Sequence, residues 1–257
     1  MEIPGWTVPG WTSPYYSTAK TDMRHLIALL ITLLSAPALA LTPYTAVYEG
    51  KVSGLKADTQ TTLSADASGR MEFRSVAKAR GMARMFKSDP IVEYTQFEIV
   101  GNTFNPIEYH YLFNSSGSKR NSWIKFDRVN MIAQSMYKTE TVELNISSEH
   151  VDRSLELLVF RADLMVGKAA DKYSYIDRNT LREAAYEVLG PETIQTKAGK
   201  FDTIKYRRQR VGSSRHAIIW LAPELEYLPV QMQHFKGDKA TGIVVLKHYA
   251  LGSVTPR

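Results

Sequence analysis

The chain has 257 residues, a formal net charge of +6 and no cysteine. The lack of cysteine excludes disulfide bridges, thiolate chemistry and a lipid anchor on an N-terminal cysteine. A chain of this size can bury a large core without such staples, so we expect it to fold independently.

An export signal is predicted at residues 23–40. Arg and His follow Met23 directly, an apolar run occupies 26–34, and Ala-Leu-Ala at 38–40 ends the segment. This order of charge, apolar run and small residues is typical of a secretory signal peptide. The apolar run is about half of the roughly 20 residues that a membrane span requires. We therefore predict cleavage after Ala40 and a mature protein in the bacterial periplasm; a buried N-terminal helix is the alternative.

Residues 1–22 do not fit this signal, because they mix Trp, Tyr and Pro without any period. We interpret Met23 as the true start and 1–22 as an extension outside the natural protein; an unusually long n-region is the alternative. The sequence after residue 40 shows no internal repeat, low-complexity tract or linker. We therefore predict a single β-rich domain at 41–257.

Apolar and polar residues alternate over most of the next hundred residues, and this period of two predicts β-strands. The predicted strands cover 44–52, 59–63, 71–78, 91–100, 107–113, 123–126, 131–137 and 142–146. Short polar turns such as Ser68-Gly69 separate them. Closely spaced strands with such turns indicate hairpins and an antiparallel meander.

One helical pattern then interrupts the strands. Apolar residues recur there at spacings of four, three, four and three, at Val151, Leu155, Leu158, Ala162 and Met165. Asp152 is the candidate N-cap and Gly167 the candidate stop. A lone helix with one apolar stripe requires a sheet to pack against.

The last third of the chain returns to strand patterns. The predicted strands cover 172–178, 184–189, 201–211, 216–222, 228–235 and 243–249. Gly190-Pro191 is expected to bend the chain without necessarily ending the pairing, and 197–200 is expected to form a hairpin turn. We therefore predict a mainly β fold, with a single curved antiparallel sheet or open half-barrel meander and one packed helix.

The order of motifs in this last third resembles a known family. The motifs are Glu-Thr-Ile-Gln-Thr at 192–196, Ala-Gly-Lys-Phe-Asp-Thr at 198–203, Trp-Leu-Ala-Pro at 220–223 and Leu-Pro-Val at 228–230. Together they resemble the bacterial exported family called domain of unknown function 3108, and the resemblance extends more weakly over nearly all of the mature chain. Where that family has Asp-Pro-Leu-Ser at the helix start, this chain has Asp-Arg-Ser-Leu. The resemblance implies a secreted β-rich fold and supplies no catalytic residues. In architecture alone, it also suggests periplasmic carriers that hold a lipid-sized cavity against a curved sheet.

No arrangement of residues predicts catalysis or metal binding. The five histidines after residue 40 are His110, His150, His216, His234 and His248. They lack the His-x-x-x-His and His-Glu-x-x-His spacings of zinc sites, and the serines lack the strand-to-helix elbow of a nucleophile. We predict no catalytic residue, no metal and no cofactor, and we expect that the protein is not an enzyme.

Aromatic residues carry the functional hypothesis. Five of them would line one side of a hairpin: Tyr109, Tyr111, Phe113, Trp123 and Phe126. We predict that they form an apolar surface for a hydrophobic or lipid-like ligand, with Trp220 as a further contact. A packed core is the alternative.

A basic strand at 205–210 is predicted to lie near an anionic head group of that ligand, through Arg207 and Arg208. A merely solvated strand face is the alternative. Nucleic acid is not expected as a partner, because an exported protein rarely meets it.

Three functions are compatible with these patterns. We place first a non-enzymatic periplasmic protein that binds or carries a hydrophobic ligand on its curved sheet. The second is an interaction module of the cell envelope that binds a partner protein by strand addition, without a small-molecule ligand. We place last a hydrolase of cell-wall or lipid material, because no acid–base pair is visible in the sequence.

Overall fold

The computed structural model describes residues 41–52, 54–81, 89–115, 118–119 and 121–252. The predicted signal at 23–40 and the predicted extension at 1–22 lie outside the described residues. All of the described residues belong to one compact unit. No helix among the described residues is long and apolar enough to cross a membrane.

The described residues form sixteen β-strands, one α-helix and one 3-10 turn. The strands are β1 (Tyr44–Val52), β2 (Leu55–Ala65), β3 (Met71–Ala79), β4 (Ile91–Val100), β5 (Thr103–Ser115), β6 (Ser118–Lys119), β7 (Ser122–Asp127), β8 (Ile132–Tyr137), β9 (Glu140–Asn145), β10 (Val151–Asp152), β11 (Lys172–Asp177), β12 (Thr180–Gln195), β13 (Lys200–Arg210), β14 (Arg215–Ala222), β15 (Leu228–Lys236) and β16 (Lys239–Leu251). The helix α1 covers Glu156–Met165, and the 3-10 turn covers Pro223–Leu225.

All the strands belong to one sheet, whose neighbours follow the order β10-β11-β12-β13-β14-β15-β16-β1-β2-β3-β4-β5-β7-β8-β9, with β6 paired to β5. The pairing of β10 with β11 is parallel, whereas the pairs along the rest of the path are antiparallel. The two ends of the path, β10 and β9, do not pair with each other in the described residues, so the sheet stays open. The prediction of a mainly β fold with one curved, open sheet and one helix is confirmed.

The long strand β12 passes through the predicted bend at Gly190-Pro191 without losing its partner. Val188 pairs with Tyr206 and Gly190 pairs with Lys205, so one residue of β12 is left over as a bulge. Gly190 has a φ of 104°, a backbone conformation that glycine adopts without steric cost. A bulge of this kind increases the local twist and helps the sheet to curve.

The sheet is rolled, so that its β10–β11 end lies over the inner face of β4, β5 and β7. In β11, Tyr175 belongs to the main core, whereas the adjacent Ile176 packs in a second cluster with Tyr109 and Ile124. Successive side chains of a strand point to opposite faces, so β11 is covered on both sides. The rolled sheet therefore has two apolar layers, one on each side of β11.

The helix starts later than the sequence pattern predicts. It begins at Glu156, whereas Asp152 lies in β10 and pairs with Ile176. The Asp152 Oδ1 atom accepts hydrogen bonds from the backbone N–H groups of Ser154 (2.9 Å) and Leu155 (3.2 Å). These bonds hold a turn before the helix, so the prediction of Asp152 as the N-cap residue is wrong by several positions.

Helix α1 fills the space inside the main roll of the sheet. The ring of Phe160 stacks on Tyr186 with centroids 3.7 Å apart, and it meets Tyr206 edge-on at 5.1 Å and Tyr173 edge-on at 5.5 Å. Leu158 and Ala162 are almost fully buried beside it. The rings from the sheet thus interdigitate with the helix and leave this space packed.

Candidate functional site

The charged groups inside the roll are held in pairs. The Glu156 carboxylate, which is fully buried, accepts from Arg208 Nη2 at 2.6 Å and from Arg208 Nε at 2.8 Å. Arg161 donates to the Tyr44 hydroxyl at 3.1 Å and to the backbone carbonyl of Glu226. These pairs fix α1 to β13 and β1.

The two arginines of the predicted head-group site point to opposite faces of β13. Arg208 faces inward and its charge is engaged by Glu156. Arg207 lies on the other face, exposed, at 3.8 Å from the Glu187 carboxylate. Adjacent residues of a strand cannot share a face, so the structure does not bring these two side chains to one site.

The residues of the predicted aromatic site also lie on two different faces of the sheet. Tyr109 is 2% exposed and donates a hydrogen bond of 2.8 Å to Glu93, while Tyr111 and Phe126 pack against its cluster. Phe113 is half-buried farther along β5. Trp123 is opposite His110 on the other face of the sheet, because Ile124 rather than Trp123 pairs with Tyr109. The prediction that all five side chains line one side is therefore wrong for Trp123, whose odd separation from Phe126 puts it on the other face.

The predicted contact Trp220 is enclosed as well. It is 6% exposed, and its Nε1 donates to Glu192 Oε2 at 3.1 Å. Lys205 Nζ lies 2.7 Å from the same oxygen atom. Trp220 thus belongs to a contact that ties β12, β13 and β14 together.

A second buried polar cluster lies where β10 crosses β4. Thr95 donates to Asp152 Oδ1 at 2.9 Å, and Arg153 lies 3.1 Å from Glu93 and 3.4 Å from Asp177. Burial raises the pKa of Asp152 to about 6, although its hydrogen bonds to Ser154 and Thr95 act in the opposite direction. This cluster joins the β10–α1 segment to the opposite end of the sheet.

An open cavity lies on the face of β1–β3 that points away from the helix. We call it the β1–β3 groove; its volume is about 820 Å³. The cross-strand row Val47–Gln60–Val76 runs through it, and Ala79 and Pro90 lie beside that row. Val47 and Val76 stay half-buried although they lie opposite the core face, on which Ala46 and Tyr48 point inward. The groove therefore has an apolar floor without a cover among the described residues.

Cations surround this floor. Arg74, Lys78 and Arg80 line the groove, against one carboxylate, that of Asp58. Arg80 Nη1 is 3.2 Å from both Asp58 and Glu49, so it is neutralised within the protein. The other carboxylate oxygen of Glu49 is 2.5 Å from Lys197 Nζ at the tip of the β12–β13 turn. The remaining cations are Arg74 and Lys78.

Arg74 and Lys78 differ from Arg80 in their surroundings. The guanidinium of Arg74 lies 5.5 Å from the ring centroid of Tyr94 and 3.8 Å from the Glu72 carboxylate, in a contact open to solvent. Lys78 is exposed and forms no ion pair with any residue that the structure describes. Neither group is held in a buried ion pair, so both can contact an added anion.

The apolar row extends beyond the groove. Val76 pairs with Val92, and Val92 pairs with Leu112, which is 37% exposed. Sequence reasoning missed this site because its members lie on five different strands. A signal was present at Val76, an apolar residue between Arg74 and Lys78 on the polar side of β3.

A smaller cavity of about 310 Å³ lies at the β7–β8 hairpin. Phe126 lines it together with charged and polar groups of Lys125, Asp127, Gln134 and Glu143. Its volume lies at the lower end of the roughly 300–1,000 Å³ that is usual for small-ligand sites, so it is a weaker candidate than the groove. Within the described ranges, no group of three or more His, Cys, Asp or Glu side chains could hold a metal ion.

The sequence matches the model of one protein family, described as protein of unknown function (DUF3108), over residues 44–239. The match covers the strands from β1 to the start of β16, including those of the groove. No curated protein matches the chain.

Solved structures resemble the fold at low sequence identity. One is a β-barrel-like protein of domain of unknown function DUF1849 from Brucella abortus, with 12% identity, a TM-score of 0.51, and coverage of 83% of this chain and 99% of that one. Another is a protein assigned as exported, with a YmcC-like fold, from Bacteroides fragilis, at 12% identity, a TM-score of 0.30 and coverage of 80% and 95%. The first of these supports the fold alone.

Proposed function

We propose that this chain, which belongs to the DUF3108 family of proteins of unknown function, is an exported binding protein that holds a hydrophobic ligand in the β1–β3 groove. Export rests on the predicted signal at 23–40, which places the mature protein outside the cytoplasm. The ligand site rests on the groove.

The observation that supports the proposal is an apolar floor that none of the described residues covers. The groove has a volume of about 820 Å³, within the range of roughly 300–1,000 Å³ that is usual for small-ligand sites. Small-ligand sites pair an apolar surface with polar groups that orient the ligand. In the groove, Val47 and Val76 supply the apolar surface, and Thr, Asp, Arg and Lys side chains line much of the rest.

The proposed ligand site does not lie where the sequence pattern suggested it. The space between helix and sheet is occupied by Phe160 and the tyrosine rings around it. A ligand on the curved sheet therefore has room on the opposite face of β1–β3 rather than inside the roll.

Binding without chemistry fits the groups that the groove presents. The acids nearest to it, Asp58 and Glu49, are engaged by Arg80 and Lys197. Lys197 and Arg80 lower the pKa of the Glu49 carboxyl, which makes it a poor proton donor at neutral pH. We therefore place a binding protein ahead of a hydrolase.

The proposal is tested by placing a charge in the floor. We expect Val76→Asp to weaken binding of dodecyl maltoside, measured by calorimetry below its critical micelle concentration, by about tenfold or more, since a carboxylate in an apolar site remains poorly solvated. The matched control is Val188→Asp, at a valine that is 61% exposed outside the groove. Equal binding by both variants and the parent protein would contradict the proposal.

The alternative of an interaction module has one structural feature in its favour. β9 ends the strand path and is mostly exposed, and its Glu140 carbonyl accepts a bond from Asn179 Nδ2 at 3.1 Å. Glu140 and Glu143 place charge on this edge, which discourages strand addition. Protein purified from the periplasm without any lipid, yet crosslinked through β9 to one envelope protein, would favour this alternative.

A further inference from the structure

We propose that the ligand of the β1–β3 groove is a lipid molecule with an acidic head group, held by Arg74 and Lys78 while its alkyl chain lies along the row of valines. This inference rests on the proposed function and specifies the chemical class of the ligand. It is carried by charge and by the geometry of β3.

The two cations stand on the same face of one strand. Arg74, Val76 and Lys78 alternate along β3 and all line the groove. Four residues of a strand span about 13 Å, so the two charges flank the apolar floor at Val76 from both sides. An acidic group that contacts either cation therefore lies at the rim of the floor.

The other charges near the groove are already paired. Arg80 is bound to Asp58 and Glu49, and Lys197 is bound to Glu49. Arg74 has only a solvent-exposed contact with Glu72 at 3.8 Å, and such contacts contribute little to stability. The groove thus presents net positive charge to its occupant.

The net positive charge of the groove favours some ligand head groups over others. A neutral head group would displace water from Arg74 and Lys78 without returning a counter-charge, and a cationic one would be repelled. An acidic head group is compensated by charge-assisted hydrogen bonds. Carboxylate and phosphate share this chemistry.

The apolar row offers an alkyl chain that starts at β3 a path of about two strand spacings, roughly 10 Å, towards either end. It crosses five strands, from Val47 through Gln60, Val76 and Val92 to Leu112. Four strand spacings correspond to roughly 19 Å. A chain laid across the strands would cover the valines along its path that no described residue covers.

The test compares amphiphiles that share one tail. The mature protein is titrated by calorimetry with dodecyl phosphate, laurate, dodecyl maltoside and dodecyltrimethylammonium, each below its critical micelle concentration. We expect the two acids to bind about tenfold more tightly than the maltoside, with the advantage shrinking as salt rises from about 50 mM to 500 mM.

Variants locate the head group. Lys78→Gln should weaken dodecyl phosphate binding by up to about fivefold, and the Arg74→Gln/Lys78→Gln double variant by about tenfold, with maltoside binding unchanged. The control is Lys172→Gln, at an exposed lysine on β11. A similar result for laurate and phosphate assigns the effect to charge, whereas a loss confined to phosphate assigns it to the phosphate head group.

Three outcomes separate the two proposals. Equal affinity for all four amphiphiles, or an acid preference that survives the double variant, overturns the head-group inference and leaves the proposed function standing. Binding of vesicles containing phosphatidylglycerol without binding of any monomeric amphiphile overturns it in favour of a membrane surface. Absence of binding by every probe overturns the proposed function as well.

Discussion

The two faces of the β1–β3 region are built from the same strands and differ in how completely their side chains are satisfied. On the inner face, Tyr44 bonds to Arg161 of the helix, and Ala46 and Tyr48 are buried. On the outer face, Val76 is half-buried without a cover among the described residues, and Lys78 has no ion pair with any of them. The alternation of a strand thus places the packed core on one face and the proposed binding site on the other.

This difference separates the expected effects of mutation. Changes on the inner face should lower the free energy of unfolding and leave the groove as it is. Changes in the groove should alter ligand binding and leave the free energy of unfolding nearly constant. A substitution that affects both quantities strongly would show that the faces are coupled.

The largest effect is expected at Phe160. Phe160→Ala removes a ring that contacts Tyr186, Tyr206 and Tyr173, and truncation of a buried Phe costs about 3–5 kcal/mol. Urea denaturation measures this loss, and Val166→Ala, at a residue 38% exposed after the helix, is the control with a change below about 0.5 kcal/mol. A cost of less than about 1 kcal/mol would mean that the helix does not fill the roll.

The next effect is expected at the buried ion pair. Arg208→Met leaves the fully buried Glu156 carboxylate without its partner, which should cost about 3 kcal/mol, the lower end of the usual range because the arginine side chain is 23% exposed. Arg207→Met, one residue away on the exposed face, should change stability by less than about 0.5 kcal/mol. Equal effects of the two variants would contradict the inward orientation of Arg208.

A pH-dependent effect of up to about 3 kcal/mol is expected at Asp152. Its pKa is raised from 3.8 to about 6 by burial, so the folded protein holds a proton there that the unfolded chain releases between pH 4 and 6. Stability from this group therefore increases as the pH falls through that window and is lost as it rises towards 6. Asp152→Asn keeps an oxygen acceptor for Ser154 and Leu155 and should remove this dependence.

Urea denaturation of both proteins at pH 4.5 and 7.5 checks this. The parent protein should lose more stability than Asp152→Asn between the lower and the higher pH. Parallel stability curves for the two proteins would show that Asp152 does not titrate in this range.

The smallest effect on stability is expected in the groove. Lys78→Gln should change the free energy of unfolding by less than about 0.5 kcal/mol, because the side chain is exposed. The same variant should weaken binding of dodecyl phosphate, as described above. A loss of stability comparable to that of Phe160→Ala would contradict a role confined to binding.

The strands could be predicted from the sequence because each has its own alternation of apolar and polar residues. The predicted strand 216–222 and the observed β14 (Arg215–Ala222) differ by one residue at the start. β12 continues through Gly190, where the sequence predicted a bend and left open whether the pairing ends. The start of the helix could not be predicted from the sequence. The pattern from Val151 onward is compatible with a helix, whereas the bonds to the Asp152 carboxylate and the pairing with β11 favour a strand and turn.

The candidate site was harder to predict from the sequence than the strands, because a site on a sheet depends on the register between strands. Trp123 and Phe126 are three residues apart on β7, so alternation puts them on opposite faces. Which of the two shares a face with Tyr109 depends on the register, in which Ile124 pairs with Tyr109. Likewise, Arg207 and Arg208 separate into a solvent contact and a buried pair. The groove gathers Val47, Gln60 and Val76 from three strands, and no local pattern connects them.

The central claim is that a ligand occupies the outer face of β1–β3 while the inside of the roll stays filled. Nuclear magnetic resonance of the isotope-labelled mature protein, titrated with dodecyl phosphate, tests it directly. We predict that amide shifts change around Gln60, Val76 and Lys78 and stay constant at Phe160 and Tyr186. Changes centred on Phe160 and Tyr186, with none at Val76, would contradict it.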